Sequence, residues 1–359
     1  MRPKILIAFV FIMTLITLAS AEMILSEPKS VYNLGDIVSI TVTIATTTNV
    51  DGFFSIYLIC NGQEQEFYRE YVILSTGDEK KAEAKILLRE GSTGNSLGTC
   101  KIKAKLNDKY ILTKDFTISN KATLTTSINK ATYEPGEDII LSGTATKENG
   151  QAMVGFVEMT IPELQISTKS RINSGTYTIN FSLPENAKAQ EYTINLNAYE
   201  KDSSDKVTNT ATTSTKISLS QVPTKIEIKM DEEQVLPGSV VKFTPVLYDQ
   251  AGKEMTAQVA ITIKDNNNKM IETLKGETES AQAMTLDKKA MPGIWKIFAV
   301  AYKITTEKQF KILEKEDILI KLLDNDTLYI ENIGNVPYTK EVLIKIGDKS
   351  YSQPVNLDV

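Results

Sequence analysis

Histidine is absent from this chain of 359 residues, which has only two cysteines and one tryptophan. Without imidazole there is no Ser-His-Asp or Cys-His site, no histidine-ligated zinc and none of the usual imidazole acid–base catalysis. Sustained helical periodicity is missing, so helical bundles and coiled coils are not expected. No basic stripe exists either, and a net charge of −5 argues against a surface built to neutralise nucleic-acid phosphates. What is present is an ordinary balance of 42% hydrophobic and 24% charged residues. Short runs rich in Thr, Ser, Ile and Val alternate with turn residues, the signature of an all-β chain.

The N-terminus stands apart. Arg2 and Lys4 precede an apolar stretch from Ile5 to Leu18, followed by Ala19-Ser20-Ala21. That order reads as a Sec-type signal peptide over residues 1–21, with an uncleaved N-terminal anchor as the alternative. Cleavage before Glu22 removes two cations and no acid, taking the net charge from −5 to −7. An extracellular or cell-surface location is expected. Beyond this segment no run of ~20 apolar residues occurs, so no membrane span is expected in the mature chain.

One motif occurs three times: Tyr32-Asn33-Leu34-Gly35-Asp36, Tyr133-Glu134-Pro135-Gly136-Glu137 and Val235-Leu236-Pro237-Gly238-Ser239, with glycines 101 and 102 residues apart. A period of that length is a whole domain. The copies stay in phase beyond the motif. Val38, Ile40, Val42 and Ile44 correspond to Ile139, Leu141, Gly143 and Ala145, and to Val241, Phe243, Pro245 and Leu247. Later, Ile56, Leu58 and Cys60 correspond to Val157, Met159 and Ile161, and to Val259, Ile261 and Ile263. Period-two alternation held through three copies predicts half-buried strands packed on a core. Asn149-Gly150 and Ala251-Gly252 read as the intervening turn.

The expected organisation is therefore three sandwiches over 22–119, 120–219 and 220–314, and a partial unit over 315–359. Gln221-Val222-Pro223 reads as a short stiff linker. Cys100, Tyr192 and Trp295 fall at one equivalent position of a late strand, where a core anchor is expected. The polar run Lys201–Thr215 reads as a loop before a final strand ending near Leu219. The last unit is either docked on the third sandwich or, as expected here, the front half of a fourth. Its strands are expected near Ile318–Leu322, Thr327–Glu331, Val342–Ile346 and Tyr351–Val355.

Cys60 and Cys100 both lie in inward phase, and in an exported protein two such residues read as a disulfide, with two buried thiols as the alternative. Closing 40 residues stabilises by about 4 kcal/mol in the chain-entropy account.

Tyr-x-Pro-Gly-Glu leading into an alternating strand, followed by Gly175-Thr176-Tyr177-Thr178-Ile179 and Glu191-Tyr192-Thr193-Ile194-Asn195-Leu196, resembles the immunoglobulin-like modules of archaeal and bacterial cell-surface proteins. It is also similar to the macroglobulin-type sandwiches of the α2-macroglobulin family. Leu328-Tyr329-Ile330-Glu331-Asn332-Ile333-Gly334-Asn335-Val336-Pro337-Tyr338 looks like a CARDB-like sandwich of archaeal surface proteins. The resemblance, over about 22–314 and this last unit, implies an extended extracellular array that spaces or presents something. Fold-level likeness carries no mechanism.

Thioester macroglobulins use Cys-Gly-Glu-Gln, and Cys60-Asn61-Gly62-Gln63 keeps the outer spacing while departing in the middle; a bridged core cysteine before a turn is the simpler expectation. The carboxylates Asp231-Glu232-Glu233 read as a solvated run. Asp324-Asn325-Asp326, through Asp324 and Asp326, and Asp265-Asn266-Asn267-Asn268 offer hard oxygen ligands for calcium but lack the glycine and terminal glutamate of an EF-hand loop. Two glycosylation sequons occur, at Asn180 and Asn325, the second outside an expected strand. No cofactor is expected. The reading is a non-catalytic structural, adhesive or scaffold protein whose partner is a protein or glycan at the cell surface. It has two rivals: glycan or peptide capture on a sheet face or edge as a module of a larger surface assembly, and a macroglobulin-like protein lacking the thioester.

Overall fold

In the computed structural model the described residues are 21–89, 96–324 and 327–359. The signal-peptide reading thus lies almost wholly outside them. The chain is an array of antiparallel β-sandwiches, and among the described residues the only helical element is the 3-10 turn Pro162–Leu164. It divides into two compact units. Residues up to Asn129, with Ile139–Phe181 and Tyr192–Lys216, form one; Lys130–Asp138, Ser182–Glu191 and Ile217–Val359 form the other. The division runs inside the second repeat rather than between repeats.

The first repeat sets the pattern. Ala21–Leu25, Ile37–Thr46 and Glu79–Leu87 form a three-stranded sheet. The other sheet runs Val31–Asn33, Phe116–Ser119, Gly98–Leu106, Val50–Cys60, Gln63–Leu74, with Lys109–Leu112 also paired to Gly98–Leu106. Val38, Ile40, Val42 and Ile44 from one sheet and Phe54, Ile56, Leu58 and Ile102 from the other meet in one core. In the third repeat Val240–Asp249 and Gln258–Lys264 bring Val241, Phe243, Leu247, Val259, Ile261 and Ile263 into the equivalent core. In the second, Ile139, Leu141, Ala145, Val157, Met159 and Ile161 are all fully buried. Gly143 interrupts that phase because the Thr125 carbonyl and the Tyr177 hydroxyl fill the space: a Cβ there would lie 2.0 Å from the first and 2.6 Å from the second.

The recurring motif moves the chain between sheets. Val31–Asn33, Thr132–Tyr133 and Gln234–Val235 each pair in parallel with the last long-sheet strand of their own repeat, at Phe116–Ser119, Val207–Leu219 and Ile304–Ile312. The glycine that follows has φ of 92°, 75° and 80° in turn, a left-handed turn that L side chains resist. Its amide donates to Leu88, Leu183 or Asp287. The acid after the glycine closes the turn: Asp36 accepts from the Asn33 amide at 2.8 Å and Glu137 from the Glu134 amide at 3.2 Å. The motif tyrosines are buried with their hydroxyls accepting the Lys29 and Lys130 amides. In the third copy Val235 fills the place without that bond.

Lys201–Thr215 is not the expected loop. Glu191–Lys201 and Val207–Leu219 are strands joined by a short turn in which Asp202 accepts from the Ser204 and Lys206 amides. Threonine supplies the β-branched residues a strand favours, and Ala211, Ile217 and Leu219 are the buried side of the alternation. The polarity reports an outward face, not a loop. In the last segment, Ile318–Leu322 pairs with Leu328–Asn332 and Glu341–Ile346 with Lys349–Pro354, as two separate hairpins.

Candidate functional site

Two features stand out: the seams between successive repeats, and the outward faces of the large sheets.

Each seam is built on a side-chain carboxamide. Between the first and second repeats, Asn33 and Asn209 are both fully buried. Asn33 Nδ2 donates to Asn209 Oδ1 and to the Lys121 carbonyl, both at 2.9 Å. Asn209 Nδ2 donates to Glu200 Oε2 at 2.7 Å and to the Leu34 carbonyl at 2.9 Å. From the turn after Asp138–Lys147, the Asn149 amide donates to Asn33 Oδ1 at 2.9 Å and its Nδ2 to Asp36 Oδ2 at 2.6 Å. The other Glu200 oxygen accepts the Val154 amide at 2.6 Å. Every buried carboxamide and carboxylate here has a partner, as burial requires.

The corresponding turn of the third repeat also reaches back. Gln250 Nε2 donates to the carbonyls of Ala187 and Ser220, both at 3.1 Å, and its oxygen accepts the Val222 amide at 2.9 Å. Beside it, Asp249 Oδ1 accepts the Ala251 and Lys253 amides and Oδ2 accepts Gln221 Nε2 at 3.0 Å. Burial opposes ionisation of Asp249, but the bonds from Lys253, Gln221 and Ala251 outweigh it and hold its carboxyl below the usual aspartate value. At the third seam, Asn335 is 3% exposed; its Nδ2 donates to the Ala290 carbonyl at 2.9 Å and to the Leu313 carbonyl at 3.0 Å. Its Oδ1 accepts the Lys315 amide at 2.6 Å. The turn between the last two hairpins is thereby bonded to residues of the third repeat.

On the first repeat, Phe53 and Tyr71 are cross-strand neighbours with centroids 5.1 Å apart, 58% and 50% exposed, and Ile73 beside them is 76% exposed. The Arg69 guanidinium lies 5.7 Å from the Phe53 ring. Further along, Lys103 Nζ sits 5.0 Å from the Tyr110 ring and pairs with Glu64 at 3.0 Å. The cations there are already matched by acids, Arg69 by Glu66 and Lys101 by Asp115.

Cys60 and Cys100 form the expected disulfide. They are directly paired residues on neighbouring strands, so the bond ties one sheet rather than the two sheets to each other. It also removes Cys60 as a thioester nucleophile. Cys100, Tyr192 and Trp295 are all buried, and Trp295 Nε1 donates to the Met291 carbonyl at 2.9 Å. Asp265 Oδ1 accepts the Asn267 and Lys269 amides at 2.9 Å, closing its own turn as Asp202 and Asp249 close theirs. Of the other calcium candidates, Asp326 lies outside the described residues, as does the sequon at Asn325; among the described residues no group of three or more acids or cysteines converges on a metal-sized site. Asn180 is exposed on the strand Thr176–Ser182. Also among the described residues, no helix is long and apolar enough to cross a membrane.

No protein-family model and no curated protein matches this sequence. Among solved structures, the adhesin InvE of Yersinia pseudotuberculosis is similar at 12% identity and a TM-score of 0.27, over 53% of this chain and 58% of that one. A β-glucosidase from Listeria innocua is similar at 14% identity and a TM-score of 0.24, over 28% of this chain and 16% of that one. This chain therefore spans less than two thirds of either.

Proposed function

We propose that this is an exported, non-catalytic cell-surface protein of tandem immunoglobulin-like repeats of the macroglobulin type, with a CARDB-like last unit, acting as a scaffold or spacer with an adhesive or structural role. The observation that carries this reading is the seam. A turn carboxamide, Asn149, Gln250 or Asn335, reaches back into the preceding repeat or its linker and is fully bonded there. Asn149 and Gln250 are half-buried, while Asn33, Asn209 and Asn335 are buried. A saturated buried amide favours one arrangement of its neighbours, because another would strand donors without water. Sequence supports the rest: the N-terminal segment for export, and the missing histidine for the absence of catalysis.

Small-angle scattering on the chain beginning at Glu22, with and without calcium, tests the spacer reading. One conformation should fit the curve, and the substitutions Asn149→Ala and Asn209→Ala should convert it into one that needs an ensemble. A wild-type curve that already requires an ensemble, or a hydrolase or transferase activity of the chain alone, sinks the reading.

A second reading is capture of a glycan or peptide on a sheet face, favoured by the exposed Phe53, Tyr71 and Ile73. Contiguous apolar exposure of this kind marks interaction surfaces more often than it marks inert ones.

A further inference from the structure

We propose that the outward face of the second repeat's five-stranded sheet binds a neutral glycan, through Thr160, Asn195, Asn197, Thr212 and Ser214. The inference is independent of the scaffold reading and uses a different face from Phe53 and Tyr71.

The strand register places these groups together. Gly155–Ile161 pairs with Glu191–Lys201 so that Thr160 lies opposite Asn195 and Glu158 opposite Asn197. Met159 and Leu196, one residue away in each strand, point inward and are buried. Val207–Leu219 is the next strand of the sheet and adds Thr212 and Ser214. Neighbouring strands are about 4.8 Å apart and alternate residues of one strand about 6.8 Å. The result is a lattice of short polar side chains over a depression of about 480 Å3. That volume is within the range of small-ligand clefts.

The chemistry of the lining selects the ligand class. Among the described residues, none of these five side chains hydrogen-bonds to another protein group, so two carboxamides and three hydroxyls stand open, each able both to donate and to accept. Glu158 is the one ionisable group of the lining, and it is already matched: Tyr199 Oη donates to it at 2.8 Å and Lys169 Nζ lies 3.8 Å away. Within the lining an anionic polymer would meet a carboxylate and no cation; the Arg171 guanidinium of the same face lies outside the lining, 5.9 Å from the Phe156 ring. An apolar peptide would find no large apolar side chain pointing outward in the lining, where Leu196 is buried. A chain of neutral hydroxyls, each a donor and an acceptor, matches the lattice in kind.

Energetics and preorganisation agree. The threonines hold few rotamers, so fixing them costs little entropy. Water on this face is exchanged for ligand hydroxyls at similar enthalpy, which makes each contact modest and the sum decisive. At one end of the shelf Phe156 and Tyr199 have centroids 6.0 Å apart, and Lys169 Nζ caps Phe156 at 4.1 Å.

Affinity gel electrophoresis of the chain from Glu22 tests the assignment, with mannan, dextran and galactan as neutral probes and polygalacturonate as the anionic one. Retardation by at least one neutral probe and none by polygalacturonate is expected. Asn195→Ala with Asn197→Ala, and separately Thr212→Ala with Ser214→Ala, should each weaken it about tenfold. Both pairs are exposed, so an unchanged melting temperature shows that the fold is intact. Phe53→Ala with Tyr71→Ala should leave retardation unchanged. No retardation by any neutral probe, retention by polygalacturonate alone, or a loss that follows Phe53 and Tyr71 instead would each overturn the proposal.

Discussion

Asn33 Nδ2 donates to Asn209 Oδ1 at 2.9 Å, joining two fully buried carboxamides 176 residues apart in sequence. Nothing else in the first seam reaches so far along the chain, and each amide is saturated by further partners. Asn209→Ala therefore leaves Glu200, the Leu34 carbonyl and Asn33 short of a bond at once. Each unpaired buried group costs about 1–3 kcal/mol, so a loss of about 3 kcal/mol is expected in urea unfolding. The exposed neighbour Thr210, changed to Ala, should cost under about 0.5 kcal/mol. Equal effects of the two would show that the network contributes nothing special.

The second seam should be acid-sensitive. The Asp249 carboxyl titrates below the usual aspartate value in the folded chain. Its contribution is therefore complete above the unfolded value of about 3.9 and is lost as pH falls through the lower folded value. Thermal melts from pH 6 to pH 2 should show wild type losing more stability than Asp249→Asn across that window. Parallel curves would contradict the assignment.

Reduction of the Cys60–Cys100 bond should release about 4 kcal/mol of stabilisation, from a loop of 40 residues. The melting transition of the first repeat should fall with reductant, and the double variant Cys60→Ala with Cys100→Ala should no longer respond to it. Melting of the third repeat, which has no cysteine, should be unaffected.

Trp295 is the single tryptophan and is 4% exposed, so its fluorescence reports the third repeat alone. Trp295→Ala should destabilise that repeat by about 3–5 kcal/mol, through the cavity and the stranded Met291 carbonyl. The measurement is calorimetry of the variant beside the fluorescence melt of the wild type.

Much of the sandwich was legible because burial on one face of a strand writes itself as a period of two. Val38, Ile139 and Val241, or Leu58, Met159 and Ile261, could be placed in the core from three aligned copies, and all are buried. Trp295 and Tyr192 could be matched to Cys100 by the same register. The seams were not legible. Asn149 sits in a turn, where asparagine needs no further explanation, and its partner Asn33 lies 116 residues away. Asn209 stood inside a polar run that read as loop, although the alternation of Ala211, Ile217 and Leu219 was the available signal for a strand. The open side chains on the second repeat's face were hidden for the opposite reason: outward Thr and Asn are ordinary in any strand, and only the register shows which of them share a shelf.

The parallel pairing in each repeat has a mechanical consequence. Val31–Asn33 lies near the start of the first repeat and Phe116–Ser119 at its end, and they are joined side by side, with Thr117 donating to Ser30 at 2.8 Å and Leu34 to Ser119 at 3.0 Å. The same bonds recur as Ser218 to Ala131 and Ser220 to Tyr133, then as Lys311 to Glu233 and Leu313 to Val235. Tension applied to the two ends of a repeat pulls such strands lengthwise past each other, so their bonds bear the force together. The hairpins Ile318–Leu322 with Leu328–Asn332 and Glu341–Ile346 with Lys349–Pro354 are antiparallel, and tension on their free ends opens them one bond at a time. Under a pull the last segment should yield first, while the three repeats stay closed until their parallel strands rupture as a set.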